Sequence, residues 1–450
     1  MPDERNAQGP RPKVVIVGGG FGGVAAAQAL RDVPVEVTVV DRTNHYLFQP
    51  LLYQVASGLL SPADIASPIR FLLRRQRNAT VLMATVDRID LQRRHVVAGR
   101  LLLDYDYLIL AAGARHSYFG HPEWETLAPG LKTLEDARRI RHRFLTAFEA
   151  AESTDDPAER DALLTFVIVG GGPTGVELAG VLPTIARKGM RADFRRIDPA
   201  RIKVILLEGG KRILPTFPDT LSQRACRDLE ALGVVCRTGA LVTRLTPDAV
   251  YVGDERIPTR TVFWAAGNAA SPLAATMGVP LDRAGRVMVA ADLSVPGWPE
   301  VFVVGDAAAA VMPPRGGEQP SSSPPAYVPG LAAAAQQMGA HAGAMIARTV
   351  AGRAHTPFRY RNRGALAVIG RGHAIADFDR IRLTGRIAWW TWLAVHLAFL
   401  AGFRNRVSVL LEWAYAYWTF RPGARLITDD SDLTRVAAAE DAQQRLRPPA

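Results

Sequence analysis

Two glycine-rich loops of the same spacing are the parts of this chain best suited to hold a reactive ligand. The first contains Gly18, Gly20 and Gly23, and the second contains Gly170, Gly172 and Gly175. Each follows a short apolar, β-branched run and opens into a helix-forming stretch, the setting in which a GxGxxG pattern binds a dinucleotide. The first glycine allows a tight turn, the second lets the backbone approach a pyrophosphate, and the third lets helix pack on strand. Two such loops predict two bound dinucleotides and electron transfer between them.

An acidic residue ends the second strand of each glycine-loop unit. The run 35–40 ends at Asp41, and the run 204–207 ends at Glu208. A carboxylate in this position accepts hydrogen bonds from an adenosine ribose and repels a 2′-phosphate. At the second loop this favours NADH over NADPH, a preference that the basic pair 211–212 would soften.

Three further apolar runs indicate a flavoprotein. The runs 108–114, 262–268 and 301–308 read as buried strands that end in Ala-Gly or Gly-Asp. The aspartate of the third run, Asp306, can bind the ribityl hydroxyls of FAD. A helix N-cap is the alternative for Asp306, and the two dinucleotide units favour the flavin.

Composition narrows the class of protein. The chain has 450 residues, 48% of them hydrophobic and 22% charged, as expected for an ordered protein of two or three domains. Two cysteines are too few for a disulfide framework, and the histidine spacing predicts no metal site. The net charge is +11, but the basic residues are dispersed and no nucleic-acid-binding motif accompanies them. We expect no nucleic acid partner, and a basic surface suits anionic lipid.

An aromatic stretch near the C-terminus predicts contact with a membrane. Five of the eight tryptophans lie there: Trp389, Trp390, Trp392, Trp413 and Trp418. The uncharged run 387–403 is shorter than the roughly 20 residues of a typical span, and the run 407–420 contains Glu412. Arginines flank both runs, so two helices lying in the interface plane are expected. A buried dimer interface is the alternative, and both can hold, so a homodimer stays open.

With these features the chain resembles the two-dinucleotide flavoprotein oxidoreductases and, within them, the type II NADH dehydrogenases, over roughly residues 13–428. The most specific segments are 44–58, 175–180, 194–199 and 402–406. The resemblance implies that the first loop binds FAD and the second binds NADH. It implies an enzyme that oxidises NADH and reduces a membrane quinone without pumping protons. Its expected place is the cytoplasmic face of the cell membrane, as a peripheral protein.

The predicted site has three parts. The expected FAD contacts are Gly18, Gly20, Phe21, Gly22, Gly23, Asp41, Arg42, Ala112, Gly113, Asp306 and Ala307. The expected NADH contacts are Gly170, Gly172, Pro173, Thr174, Gly175, Glu177, Glu208 and Gly267. The quinone-site candidates are Gln54, Ala333, Gln336 and Gln337.

Glu177 is the predicted catalytic residue. We expect it in the first turn of the helix after the second loop, where a favourable interaction with the helix dipole is the alternative role. A bound pyrophosphate already supplies negative charge at that end, which favours the functional role. In the resembling family this glutamate lies near the contact of nicotinamide and flavin, with a role in positioning or proton delivery.

The segment 328–339 resembles the family's helix that approaches the flavin and contacts the quinone. The family has two glutamines here, whereas this chain keeps Gln337 and has Ala333 at the first position. The departure leaves another acceptor open: oxygen, a small molecule or a redox protein. A non-catalytic NADH sensor that acts by partner binding is a third hypothesis. The segment 42–60 contains no cysteine, so electrons are expected to pass without a thiol relay.

The predicted fold is α/β, with two Rossmann-like dinucleotide-binding domains and a C-terminal membrane-associating helical module. The expected divisions are a tail at 1–12, an FAD-binding domain at 13–150 and 285–355, an NADH-binding domain at 151–284, the module at 356–428 and a tail at 429–450. The first residues are polar, which predicts no signal peptide.

Overall fold

The structure, a computed structural model, describes residues 11–312, 326–419 and 423–427. The expected tails at 1–12 and 429–450 lie almost wholly outside these residues.

The first part of the chain begins with a strand, a glycine loop, a helix and a second strand. Its strands are β1 Lys13–Val17, β2 Glu36–Asp41, β3 His45–Leu47, β4 Ala66–Pro68, β5 Ala79–Met83, β6 Arg88–Asp90, β7 His95–Ala98, β8 Leu101–Asp104, β9 Tyr107–Leu110 and β10 Ala114–His116. Its helices are α1 Phe21–Ala29, α2 Leu52–Ala56, α3 Pro62–Ile65, α4 Ile69–Leu73, α5 Trp124–Leu127 and α6 Leu134–Ser153.

The middle of the chain repeats this order. Its strands are β11 Thr165–Val169, β12 Lys203–Glu208, β13 Val234–Thr238, β14 Val242–Thr246, β15 Ala249–Val252, β16 Glu255–Pro258, β17 Thr261–Trp264 and β18 Asn268–Ala270. Its helices are α7 Pro157–Leu163, α8 Pro173–Thr184 and α9 Asp219–Ala231, and a π-helical turn Ile185–Gly189 continues α8.

The last part returns to the first unit and then forms a C-terminal module. Its strands are β19 Val287–Met288, β20 Ser294–Val295, β21 Trp298–Val303, β22 Ala308–Ala309, β23 Ala365–Gly370, β24 His373–Asp377 and β25 Arg382–Thr384. Its helices are α10 Ala332–Val350, α11 Gly385–Phe399 and α12 Phe403–Thr419. Short 3-10 turns lie at Gln49–Leu51, Pro199–Arg201, Pro272–Met277 and Gly305–Ala307.

Two sheets carry the two glycine loops. The first has the order β20-β21-β9-β1-β2-β5, and the second has the order β13-β12-β11-β17. All neighbours are parallel except β20 and β21. The first sheet contains strands that come before the second unit in the chain and strands that come after it, as expected for a discontinuous domain. In such sheets ligands bind at the carboxyl ends of the strands, where both loops lie.

Helix α6 joins the two nucleotide units. It carries a capping box in which Thr133 accepts from the Asp136 amide and the Asp136 carboxylate accepts from the Thr133 amide. Its buried residues Phe144 and Phe148 pack against Phe166 of β11. The helix runs through residue 150, so the expected boundary there falls inside an element. The domain limits stay a prediction.

The C-terminal module is a three-stranded antiparallel sheet, β23-β24-β25, followed by α11 and α12. It packs directly on α8. The contact is so close that a Cβ at Gly180 of α8 would overlap the carbonyl oxygen of Ile369 in β23. Among the described helices, none combines the length and the hydropathy needed to cross a bilayer.

Candidate functional site

The first glycine loop has the geometry of a pyrophosphate cradle. Gly18 has φ +108°, and a Cβ there would overlap Ala111 of the neighbouring strand end. A Cβ at Gly23 would overlap the Gly18 carbonyl, so only glycine fits both positions. Gly20 is the N-cap of α1 and has no protein atom within 4 Å of its Cβ position. The first-turn amides therefore face open space with no acidic side chain to cap them.

The second loop repeats these features. Gly170 has φ +110° and lies against Ala265, a Cβ at Gly175 would overlap the Gly170 carbonyl, and Gly172 is the open N-cap of α8. Pro173 occupies the first helical position, where a missing N–H costs nothing.

Each carboxylate that is predicted to bind a ribose is hydrogen-bonded to its own glycine loop. Asp41 accepts from the Gly19 amide (2.6 Å), and Glu208 accepts from the Gly171 amide (2.6 Å). The second oxygen of Asp41 accepts from Thr43 (2.7 Å), and that of Glu208 accepts from the Gly210 amide (2.6 Å). These bonds fix both carboxylates beside the loops and leave lone pairs for a ribose diol.

The basic pair beside Glu208 differs from the sequence expectation in one respect. The Arg212 guanidinium donates to Asp219 (3.3 Å) and to the Pro215 carbonyl (3.0 Å). It is therefore engaged away from Glu208, and only Lys211 keeps the potential to soften the preference for NADH.

The remaining FAD candidates lie around the carboxyl end of the first sheet. Gly113 has φ +65° and follows β9, and Arg42 is exposed beside Asp41. The Asp306 carboxylate lies next to Gly330 at the start of α10. Among the residues that the structure describes, no hydrogen bond to a helix amide satisfies that carboxylate, so the N-cap alternative has no geometric support.

Glu177 lies in a cavity between the NADH-binding unit and the C-terminal module. The cavity is lined by Tyr53 and Gln54 of α2, by Glu177 and Gly180 of α8, by Val368–Arg371, and by Trp389 and Ala416 of the module. Desolvation of the carboxylate in this cavity raises the pKa of Glu177 well above its usual range. A backbone hydrogen bond from Val368 opposes the shift only in part.

The expected position of Glu177 in the first helical turn is wrong. Helix α8 begins at Pro173, so Glu177 is its fifth residue, and no acidic residue lies in the first turn. The helix-dipole role consequently loses its basis, because the effect falls off within one turn. Sequence reasoning also missed Tyr53, Val368 and Trp389, which line the same cavity, since they come from segments far away in the chain.

The quinone-site glutamines are all engaged with protein groups. Gln54 donates to the Tyr53 hydroxyl (2.8 Å) and accepts from the Trp413 indole (2.7 Å). Gln337 donates to the Arg361 carbonyl (3.1 Å) and accepts from the Arg361 amide (3.0 Å).

Gln336 forms a hydrogen bond with the Tyr46 hydroxyl group. Burial raises the pKa of Tyr46. Ala333 lies in the first turn of α10 and offers only its backbone carbonyl, which accepts from Gln337 (3.1 Å).

The aromatic stretch divides between core and surface. Trp389, Trp392 and Trp413 are buried, and their packing joins the module to the core of the NADH-binding unit. Trp390 is 64% exposed, and the Trp418 side chain lies outside the described residues. The expectation that the tryptophans as a group contact lipid is therefore wrong for these three. The exposed apolar residues of α11 and α12 are Ile387, Trp390, Phe399, Phe403, Val407, Leu410, Leu411 and Tyr415.

Comparison with known proteins agrees with this architecture. Residues 12–339 match the pyridine nucleotide-disulphide oxidoreductase family model, and residues 362–421 match the NDH2 C-terminal domain. Two Mycobacterium tuberculosis proteins, named type II NADH:quinone oxidoreductases Ndh and NdhA, are each 41% identical over 98% of this chain and over 96% and 94% of their own lengths. The structure of NDH2 from Plasmodium falciparum with NADH has the same fold, with a TM-score of 0.81, 20% identity, and 93% of this chain and 100% of that chain covered.

The chain therefore belongs to the pyridine nucleotide-disulphide oxidoreductase family and, within it, to the type II NADH:quinone oxidoreductases. The sequence prediction of the family is confirmed.

Proposed function

We propose that this protein oxidises NADH through FAD and reduces a membrane quinone without pumping protons. The observation that carries the proposal is the pair of glycine loops with free space at Gly20 and Gly172. A carboxylate hydrogen-bonded to each loop favours a ribose without a 2′-phosphate. Relatives that match over nearly the whole chain carry the same activity in their names.

The residues around the first cradle fit FAD. The amides of Phe21, Gly22 and Gly23 would hold the pyrophosphate, Asp41 the ribose, and Asp306 the ribityl chain. Bound there, FAD supplies the two-electron chemistry that protein side chains lack. The amides at the start of α8 and Glu208 would hold NADH in the second cradle.

Glu177 supplies a protonatable group at the meeting point of the nucleotide units and the module. Its raised pKa favours the protonated carboxyl group, which can donate a hydrogen bond or a proton. Its role is to orient the nicotinamide or to supply a proton during turnover.

The exposed apolar face of α11 and α12 is the surface that contacts lipid. Arg386 and Arg404 are exposed beside this face, where their positive charges attract anionic lipid headgroups. We place this face on the cytoplasmic side of the membrane, where NADH is available. A homodimer that covers part of the same face is the competing occupant.

The acceptor is tested with purified protein, under anaerobic conditions for quinone reduction and in air for oxygen consumption. NADH oxidation with a ubiquinone or menaquinone analogue should exceed the rate with the quinone omitted, and oxygen consumption in air should be slow in comparison. Rapid NADH-dependent oxygen consumption together with no quinone reduction would instead establish a different acceptor, which Ala333 leaves open.

A further inference from the structure

His396 is a polar side chain on helix α11, outside the groups assigned to FAD, NADH and quinone above. His396 lies in an aromatic environment, stacked on Trp392 (4.1 Å between ring centroids) and edge-on to Phe48 (6.2 Å). Phe48 in turn contacts Phe21 (6.0 Å), which lies within the first glycine loop at the start of α1. His396 therefore connects α11, on which Trp390 is exposed, to the first glycine loop by way of Phe48.

The position matters because the predicted quinone glutamines are already engaged. Gln54 is bonded to Tyr53 and Trp413, and both amide atoms of Gln337 are bonded to the backbone of Arg361. Ala333 offers no polar side chain. A quinone that approaches from α11 consequently needs another group to orient its ring.

The hydrogen bond of His396 fixes which ring nitrogen carries the proton. Nδ1 lies 2.8 Å from the Trp392 carbonyl oxygen, which can only accept, so Nδ1 is the donor. Burial lowers the pKa of His396 to about 4, so the ring is neutral. Nε2 is then a hydrogen-bond acceptor, and among the described residues no protein donor is bonded to it.

An acceptor discriminates between the two redox forms of the ligand. A quinone presents carbonyl oxygens, which only accept hydrogen bonds. Reduction adds two electrons and two protons and converts both carbonyls into hydroxyl groups, which donate. A neutral Nε2 therefore pairs with the product and not with the substrate.

We propose that Nε2 of His396 accepts a hydrogen bond from a hydroxyl group of the hydroquinone product, bound against α11 next to His396. This inference rests on the proposed quinone reductase function. His396 is then a product-binding residue, and it sets the affinity for quinol more than the affinity for quinone.

The test compares the wild type with His396→Phe, which keeps an aromatic ring over Trp392 but removes the acceptor. His396→Gln keeps an acceptor on a side chain of similar reach, and Thr391→Val on the same helix is the control. Each protein is assayed with decylubiquinone as substrate and decylubiquinol as product inhibitor. Flavin content and the rate of flavin reduction by NADH verify that each variant is folded.

In His396→Phe the inhibition constant for decylubiquinol should rise about fivefold to tenfold, the effect of one neutral hydrogen bond. The KM for decylubiquinone should change less than twofold or so, and His396→Gln should recover part of the quinol affinity. An unchanged inhibition constant in His396→Phe, or a raised KM for decylubiquinone alone, would overturn the proposal. A wild type that reduces no quinone would refute the proposed function instead, so the two failures are distinguishable.

Discussion

At the scale of single residues, a carboxylate lies beside each glycine loop. The positions of Asp41 and Glu208 were predictable because they follow from spacing within one strand–loop–helix–strand unit. The environment of Glu177 was not, because its hydrogen-bond partner Val368 lies in a strand of the C-terminal module. Local spacing reports local geometry, and a long-range contact leaves no such pattern.

Glu177 should make the stability of the protein depend on pH. Its folded pKa lies above the ordinary carboxyl value of 4.5, so its contribution to stability is fully present below that pH and is lost as pH rises. In Glu177→Gln this loss is absent, because glutamine does not titrate. The free energy of unfolding of the variant relative to wild type should therefore increase as pH rises from 4.5 toward the raised folded pKa, by up to about 1.4 kcal/mol per pH unit. A difference in the free energy of unfolding between variant and wild type that does not change with pH would contradict the assignment.

The same Glu177→Gln variant should bind FAD normally and oxidise NADH more slowly, because the glutamine cannot release a proton. Flavin content measures the first effect, and stopped-flow reduction of the flavin together with steady-state quinone reduction measures the second. Unchanged steady-state rates would count against a catalytic role.

Glu208 should determine the preference for NADH. In Glu208→Gln the negative charge that repels a 2′-phosphate is lost, while one amide hydrogen bond to the loop remains. The ratio of kcat/KM for NADH to that for NADPH should fall by about tenfold, equivalent to roughly 1.4 kcal/mol. Asp248→Asn, a charge change at an exposed ion pair with Arg256, is the matched control. A ratio that falls equally in both variants would argue against a local effect.

At the scale of elements, the C-terminal helices differ most from their sequence pattern. Successive residues of a helix point about 100° apart, so Trp389 and Trp392 face the core while Trp390 faces outward. Helix α11 is apolar on both sides, and amphipathic periodicity therefore could not separate the buried face from the exposed one. The core partners, Tyr53 among them, come from the first part of the chain.

The packing of α8 on β23 should depend on Gly180. A methyl group there would overlap the Ile369 carbonyl, so Gly180→Ala should destabilise the protein by about 1–3 kcal/mol despite the better helix propensity of alanine. Denaturant unfolding measures the effect. Gly423→Ala, where no protein atom lies within 4 Å of the Cβ position, is the control. Equal stability of both variants would mean that the helix and strand are farther apart.

At the scale of the whole molecule, the fold class followed from the repeated glycine loops, whereas the way the parts join did not. Helix α6 crosses the expected boundary at residue 150, and the module closes over Glu177 instead of standing apart. Deletion of the module would therefore expose the core, and substitutions on its outer face are a cleaner test of membrane contact.

The double variant Trp390→Ser and Leu411→Ser should leave the fold intact and weaken membrane association. Both side chains are more than half exposed, and each large apolar side chain withdrawn from water contributes about 1.5–3 kcal/mol. Sedimentation with lipid vesicles should fall at least about tenfold. Leu101→Ser with Leu102→Ser, on β8, is the matched control. Undiminished sedimentation, with loss of a dimer in its place, would assign the face to a second copy of the chain.

The most direct test of two redox partners held in adjacent cradles is an anaerobic double-mixing experiment on the purified, flavin-loaded protein. NADH should bleach the flavin absorbance within the turnover time, and a second mixing with decylubiquinone should restore it at a rate no slower than steady-state turnover. A flavin that NADH cannot bleach, or a protein that takes up no FAD on reconstitution, would contradict the account.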